Sequence, residues 1–321
     1  MNCIVCGNKE GKPFTAREMM FGYKDTFEYF ECQRCGCVQI SETPKDMAKY
    51  YPEGYYSLSL SQQLRDLYKN PLKKFLVAKK VVFEVFDKGV IGRIICRFSP
   101  TNTSLVALRR ARTNTKFKVL DVGCGTGSLL YQLKIAGFTD LTGVDPFIKQ
   151  DIVYSPNFTI FKGTIHDMDG SFDLIIFNDS LEHIPDQLET LRSVAKLLTN
   201  GGTCVISMPT VSSYAWKHYG ANWVQLDPPR HLFIHSICSL KLLLEKVNLK
   251  LTDVIYNSTE FQFWGSEQYV RGIPLESPKS YSVNPKESIF SKEEMKRFRD
   301  RARELNEKRQ GDQAIFYVEK P

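Results

Sequence analysis

The feature that most restricts what this 321-residue chain can fold into is the run Phe117-Lys118-Val119-Leu120-Asp121-Val122-Gly123-Cys124-Gly125-Thr126-Gly127. A short β-rich stretch ends in three alternating glycines, and a helical pattern, Ser128 to Ala136, starts at once. Glycines at a strand end permit a tight turn and let the backbone approach a ligand where a side chain would clash. The signals that follow keep alternating. Leu141 to Val144, Phe158 to Phe161, Phe172 to Phe177 and Thr203 to Met208 read as strands, and Leu188 to Leu198 as a helix closed by Asn200-Gly201-Gly202. Ser236 to Val247 reads as a helix, Lys250 to Tyr256 as a strand, Lys292 to Arg309 as a charged helix and Ala314 to Glu319 as a last strand, with Asn257 to Ser291 an insertion between the last two strands. Alternation of this kind predicts an α/β fold, a doubly wound, mostly parallel sheet with helices on both faces.

The second constraint is at the N-terminus. Five of the nine cysteines lie in the first 37 residues, four of them as Cys3-x-x-Cys6 and Cys32-x-x-Cys35. Each pair fits a knuckle that points two thiolates at one ion, and two knuckles complete the tetrahedral sulfur shell that zinc prefers. Phe14, Phe21, Tyr23, Phe27, Tyr29 and Phe30 between them suggest short strands over the site, hence a zinc ribbon across residues 1–45. With all four sulfurs consumed the ion would be structural. Cys37 is a spare, a bystander or an alternative ligand, while Cys96, Cys124, Cys204 and Cys238 are scattered, as small buried hydrophobes are.

Residues 46–115 read as a basic helical connector or lid. It begins with the aromatic patch Tyr50, Tyr51, Tyr55 and Tyr56, and Leu64, Leu67, Tyr68, Leu72, Phe75 and Leu76 recur at helical spacing; Pro100 to Ser104 reads as a break. Fourteen of the basic residues fall between Arg65 and Lys118 against only Asp66, Glu84 and Asp87, so this stretch carries more positive charge than the formal +7 of the whole chain and the rest is mildly acidic. Such a stretch suits a phosphate-bearing substrate, nucleic acid, an anionic membrane surface through Lys69 to Lys80, or simply a solvated helical face. No apolar run approaches the ~20 residues of a membrane span. The N-terminus has neither the basic nor the apolar part of a secretory signal, which places the expected compartment in the cytoplasm.

What distinguishes the glycine run from a dinucleotide-binding turn is the preceding Asp121 and the absence of Gly-x-Gly-x-x-Gly spacing. A carboxylate there suits a cationic amino group better than a pyrophosphate. From Lys116 to the C-terminus the sequence resembles the class I S-adenosylmethionine (SAM)-dependent methyltransferases, which implies a Rossmann-like sheet of seven strands in a domain spanning 116–321. The resemblance implies that Asp121, Gly123, Gly125 and Gly127 hold the methionine part of SAM. Asp145, ending Gly143-Val144-Asp145, would take the ribose hydroxyls, as a carboxylate accepting from two vicinal donors can. Where the family often has an acidic adenine reader this chain has Gly163-Thr164-Ile165-His166-Asp167, which assigns the adenine to Thr164 and the Ile165 backbone and displaces Asp167.

The fourth strand runs into Asn178-Asp179-Ser180-Leu181-Glu182-His183-Ile184-Pro185-Asp186, similar to the Leu-Glu-His-x-Pro-Asp signature of small-molecule members. It places Asn178 beside the methionine moiety and His183 either against the substrate or in a structural role at a helix start. Trp223 and Asp227-Pro228-Pro229-Arg230-His231-Leu232-Phe233 follow; in ribbon-bearing relatives from surface-polysaccharide and secondary-metabolite pathways this segment borders the acceptor pocket. His231 is the expected catalytic base for an alcohol acceptor, and Arg230 an expected bidentate ligand for phosphate or carboxylate, unless both brace the loop. Trp223 and His183 complete the expected acceptor-binding set. The expected activity is methyl transfer to a hydroxyl, or an acidic carbon, of a sugar, nucleotide sugar or lipid-linked glycan. Nucleic acid is the less favoured acceptor because the Asn-x-x-Tyr/Phe motif of amino-group methylation is missing. An RNA methyltransferase and a non-catalytic SAM-binding, partner-docking protein are the alternatives.

Overall fold

The structure, a computed structural model, describes residues 2–52 and 70–321. The expected role of Tyr55, Tyr56, Leu64, Arg65, Leu67, Tyr68 and Lys69 lies outside the described residues.

The N-terminal module is an antiparallel meander of β1 (Gly11–Arg17), β2 (Thr26–Cys32) and β3 (Val38–Ile40). It is not a separate body. Strand β10 (Phe233–Ile234), from far along the chain, pairs with β3 as a fourth strand. Tyr29 and Phe30 of β2 are buried in the same hydrophobic core as Phe177, Leu191 and Phe316. Among the described residues three helices follow: α1 (Pro71–Phe86), α2 (Val90–Phe98) and α3 (Thr103–Ala107), the first capped by Asn70, whose side chain accepts from the Leu72 and Lys73 amides, with Pro71 at its start. The break expected at Pro100 to Ser104 thus ends where α3 begins, with Asn102 as its cap.

The main sheet contains β4 (Lys118–Val122), β5 (Asp140–Asp145), β6 (Ile152–Ser155), β7 (Phe158–Lys162), β8 (Phe172–Asn178), β9 (Leu198–Pro209), β11 (Lys250–Tyr256) and β12 (Gln313–Glu319), in the order β11-β12-β9-β8-β4-β5-β7-β6. The five central strands are parallel and β12 runs against them. The expected seven strands are all present, and β6 is an eighth, an antiparallel addition at the edge. Val119, Leu120 and Leu174 to Phe177 are buried because parallel strands need cover on both faces. That cover comes from α4 (Ser128–Ile135), with α1 beyond it, on one side, and from α5 (Gln187–Leu197) and α7 (Ile237–Glu245) on the other. The expected insertion holds a helix, α8 (Phe261–Val270), packed against α9 (Lys292–Glu307); α6 (Tyr214–Tyr219) lies beside α8. Among the described residues no helix is long and apolar enough to cross a membrane.

Candidate active site

Four neighbouring strands, β8-β4-β5-β7, bring the expected cofactor residues to one edge of the sheet. Asn178 ends β8, Asp121 sits one residue from the end of β4, Asp145 ends β5, and Thr164 and Ile165 follow β7. Between β4 and α4 the chain turns through Gly123, Gly125 and Gly127, all at positive φ (74°, 55° and 83°). A Cβ on Gly123 would stand 2.6 Å from that of Ser180, so the turn is closed to other residues by packing as well as by backbone.

The electrostatics of this edge are set by two buried carboxylates. Asp145 accepts from the amides of Gly125 and Phe147, both at 2.8 Å, and so ties the glycine loop to β5. Asp121, 2% exposed, has its carboxyl pushed up to about 7 by burial and then by Asp145. A buried acid this close to neutrality is a receptor for a cation, whose arrival repays the cost of ionising it. The chemistry of this donor set therefore fits the ammonium and ribose of SAM. Thr164 is engaged with Asp167, donating to it from both amide (2.8 Å) and hydroxyl (2.9 Å), which leaves the exposed loop in a fixed shape.

Beside Asn178, at the same edge, opens a cavity of about 400 Å³. Asp179, Glu182, His183, Asp227, His231 and Gln313 are among the residues lining it, and among the described residues no lysine or arginine does. His231 Nδ1 stands 2.7 Å from the Gln225 carbonyl; since a carbonyl only accepts, Nδ1 carries the proton. Nε2 is thereby left as an acceptor, 3.9 Å from both Glu182 and Asp227. Burial holds the His231 imidazole below its usual range. His183 repeats the pattern, donating from Nδ1 to the Arg230 carbonyl at 2.8 Å, and is pushed down to about 3 by burial and by His231. Both rings are neutral at physiological pH. Glu182 is 1% exposed, and neither carboxyl oxygen has a hydrogen-bond partner; burial and the nearby Asp179 push its acid well above the carboxylate range. Donor atoms of Glu182, His183 and His231 lie within 4.8 Å of one another.

Two expected acceptor ligands are placed elsewhere. Arg230 is fully buried and outside the cavity lining. Its guanidinium pairs with both oxygens of Asp227, reaches Glu18 of the N-terminal module at 3.4 Å and the Tyr50 carbonyl at 3.3 Å, and lies over the Phe21 ring. Its donors are thus directed at three segments of the chain. Trp223 is also fully buried, with its indole N–H donated to Asp312 at 2.9 Å; it supports the cavity wall from behind.

Sequence reading gave no role to Asp312, Gln313 or Tyr51. Asp312 and Gln313, at the start of β12, are brought in from the far end of the chain without any local motif. Tyr51 stacks on Phe147 at 5.9 Å, with its hydroxyl 3.4 Å from His183 Nδ1, and so bridges the cavity histidines and the loop that follows Asp145. The tyrosine-rich patch was the signal for it.

At the N-terminal module, Cys3, Cys6, Cys32 and Cys35 place their sulfurs within 4.8 Å of one another, with Cys3 to Cys35 at 3.5 Å and Cys6 to Cys32 at 3.6 Å. These are the edges expected of a tetrahedron around one ion with metal–sulfur bonds of about 2.3 Å. Cys37 is not part of this set; its buried thiol donates to the Val38 carbonyl.

Residues 91–254, half of the chain, match the family model described as a methyltransferase domain. A ubiquinone biosynthesis O-methyltransferase from Xanthomonas campestris pv. campestris is 30% identical over 173 residues, 49% of this chain and 71% of that protein. The enzyme of the same description from Psychrobacter arcticus is 28% identical over 171 residues, 46% of this chain, and the chain spans 65% of that relative's length. A cyclopropane synthase structure from Mycobacterium tuberculosis overlaps 81% of this chain and 94% of its own at 15% identity, with a TM-score of 0.43. The matched domain, the strand order and the motif-bearing edge make this chain a member of the class I SAM-dependent methyltransferase family.

Proposed function

We propose that the protein transfers the methyl group of SAM to a hydroxyl, or an acidic carbon, of a small polyhydroxylated molecule of the sugar kind. The observation that carries the proposal is His231: its proton is fixed on Nδ1 and its Nε2 is turned toward Glu182 and Asp227 at a cavity adjoining the cofactor edge. Asp121, Asp145, Asn178 and the glycine loop would hold SAM, with Thr164 and Ile165 at its adenine, and the bound cofactor would supply an electrophilic methyl. The chain's own residues do the rest. His231 Nε2 takes the acceptor's proton as the acceptor's bond to the methyl carbon forms and the methyl–sulfur bond breaks, its electron pair staying on the sulfur of the departing thioether, and Asp227 stabilises the imidazolium that results. Glu182, an orphaned neutral acid, hydrogen-bonds a second hydroxyl, and His183 and Gln313 orient a third.

The lining accounts for the acceptor class. Among the described residues the lining offers no lysine or arginine to a phosphate, whereas its carboxyls, imidazoles and amides match a ring bearing hydroxyls. A phosphate or lipid carrier on the acceptor would therefore lie outside the cavity. The four-cysteine cluster would hold a structural zinc ion.

Calorimetric titration with SAM should show saturable binding that Asp145→Ala loses and His231→Gln keeps. In a screen of nucleotide sugars and lipid-linked glycans, His231→Gln should then lower kcat by roughly 10²–10⁴-fold. Because burial lowers the His231 pKa, the acid limb of kcat/KM should lie below pH 6.5 in the wild type and vanish in the variant. Well-folded protein that fails to bind SAM would falsify the proposal. The convergence of Glu182, His183 and His231 supports one variation, a divalent cation activating the acceptor. Turnover abolished by EDTA and restored by Mn²⁺ on zinc-replete protein would move the role of His231 from base to ligand.

A further inference from the structure

The α1–α2 hairpin carries a surface that methyl transfer does not use. Helix α2, Val-Ile-Gly-Arg-Ile-Ile-Cys-Arg-Phe, contains no acidic residue. Gly92 faces α1 so closely that a Cβ there would stand 2.2 Å from the Lys79 carbonyl oxygen, which fixes which side of α2 is turned inward. At 100° per residue Val90, Ile94, Phe98 and Ile91 fall on the opposite side. They are 73%, 54%, 82% and 44% exposed. Arg93 and Arg97 border this arc on one flank. Lys79 and Phe83 of α1 lie under α2; the same outward side of α1, nearer its start, carries Leu72 and Phe75, also exposed. Between Asn70 and Pro100 there are seven basic residues, Lys73, Lys74, Lys79, Lys80, Lys88, Arg93 and Arg97, against two acids. One of those acids, Glu84, is buried and accepts from the Asn102 amide.

We propose that this hairpin is a docking surface for an anionic lipid bilayer, with α2 lying in the interface plane. Exposed apolar side chains of this size are costly in water unless something covers them, and arginines and lysines beside them match acidic headgroups. Each alternative occupant conflicts with one half of the pattern. A nucleic acid would be met by the cations but leaves Ile94 and Phe98 uncovered. A second copy of the chain would cover them but bring two strongly basic hairpins face to face. Helix α2, nine residues or roughly 13 Å long, is far too short to span a bilayer, so the contact is peripheral. Only four residues separate α2 from α3, whose Thr103 and Ser104 line the acceptor cavity, so the surface adjoins the cavity along the chain. The inference does not depend on the acceptor or on turnover.

The test is co-sedimentation of the full-length protein with vesicles of phosphatidylcholine alone and with phosphatidylglycerol added. Binding should appear with the anionic vesicles, weaken as salt is raised, and fall by roughly tenfold or more in Ile94→Ser/Phe98→Ser and in Arg93→Glu/Arg97→Glu. All four side chains are exposed, so unchanged thermal melting and SAM binding will show that the variants fold. Three results overturn the proposal: no binding to anionic vesicles, binding that neither double variant alters, or a wild-type dimer in light scattering that Ile94→Ser/Phe98→Ser converts to monomer without changing vesicle binding. Retention of RNA in a gel shift, lost in Arg93→Glu/Arg97→Glu while vesicles stay unbound, would assign the surface to nucleic acid.

Discussion

Asp121 shows how one side chain can be costly to the fold and useful to the site. Its folded pKa, about 7, lies above the unfolded value near 3.8, so the native state holds the proton more tightly. Stability supplied by this group is full below the unfolded value, declines as pH rises between the two, and is gone above about 7. Denaturation midpoints of Asp121→Asn should lack that part of the pH dependence when compared with wild type between pH 4 and pH 8. SAM affinity should rise through pH 7 in the wild type, as the carboxylate forms to meet the ammonium, and stay low and flat in the variant. Arg230 is the opposite case, a buried charge with every direction answered. Replacing it by Met keeps bulk but strands Asp227 and Glu18, at a cost of about 3–5 kcal/mol. Urea unfolding should show that loss, and Asp227→Asn in the same chain should recover part of it.

At the scale of elements, what was legible in the sequence was whatever carries a local period or a local motif. The strands from Val119 to Val205 and the glycine turn announce themselves because each is a contiguous pattern. Helix α8 did not, because Gln262, Phe263, Trp264, Gly265, Ser266, Gln268 and Tyr269 are all buried; a helix covered on nearly every side has no polar face to mark its period. Strand β10 is two residues long and exists only because β3 is there to pair with it. The same reasoning applies to the site. Asp121, Asp145 and Asn178 were legible as strand ends. The burial of Arg230 was not, since its partners Glu18 and Tyr50 are some 200 residues away in the chain. The β3–β10 ladder yields a prediction of its own. With zinc held by the four-cysteine cluster as proposed, a strong thiol-competing chelator should speed amide exchange in Val38–Ile40 and Phe233–Ile234 together and impair turnover. The β4–β5 edge should still bind SAM. Exchange that changes in β1 to β3 alone would refute mechanical coupling between the two segments.

For the whole molecule, the N-terminal module and the sheet domain share one core and one set of hydrogen bonds. The Tyr29 hydroxyl donates to the His231 carbonyl at 3.0 Å, the Trp216 indole to Glu31 at 3.0 Å, and the Lys246 ammonium to the Val5 carbonyl. Met20, encoded in the N-terminal module, is itself part of the cavity wall. In terms of inheritance, such a protein is not modular even though its sequence looks so. A genetic crossover in the connector would pair a foreign ribbon with the native sheet and leave Arg230 facing the wrong acid and Phe233 the wrong strand. Lineages that change acceptor would have to alter both halves together, and chimeras that exchange residues 1–52 with the 223–236 segment should fold where exchange of either alone fails.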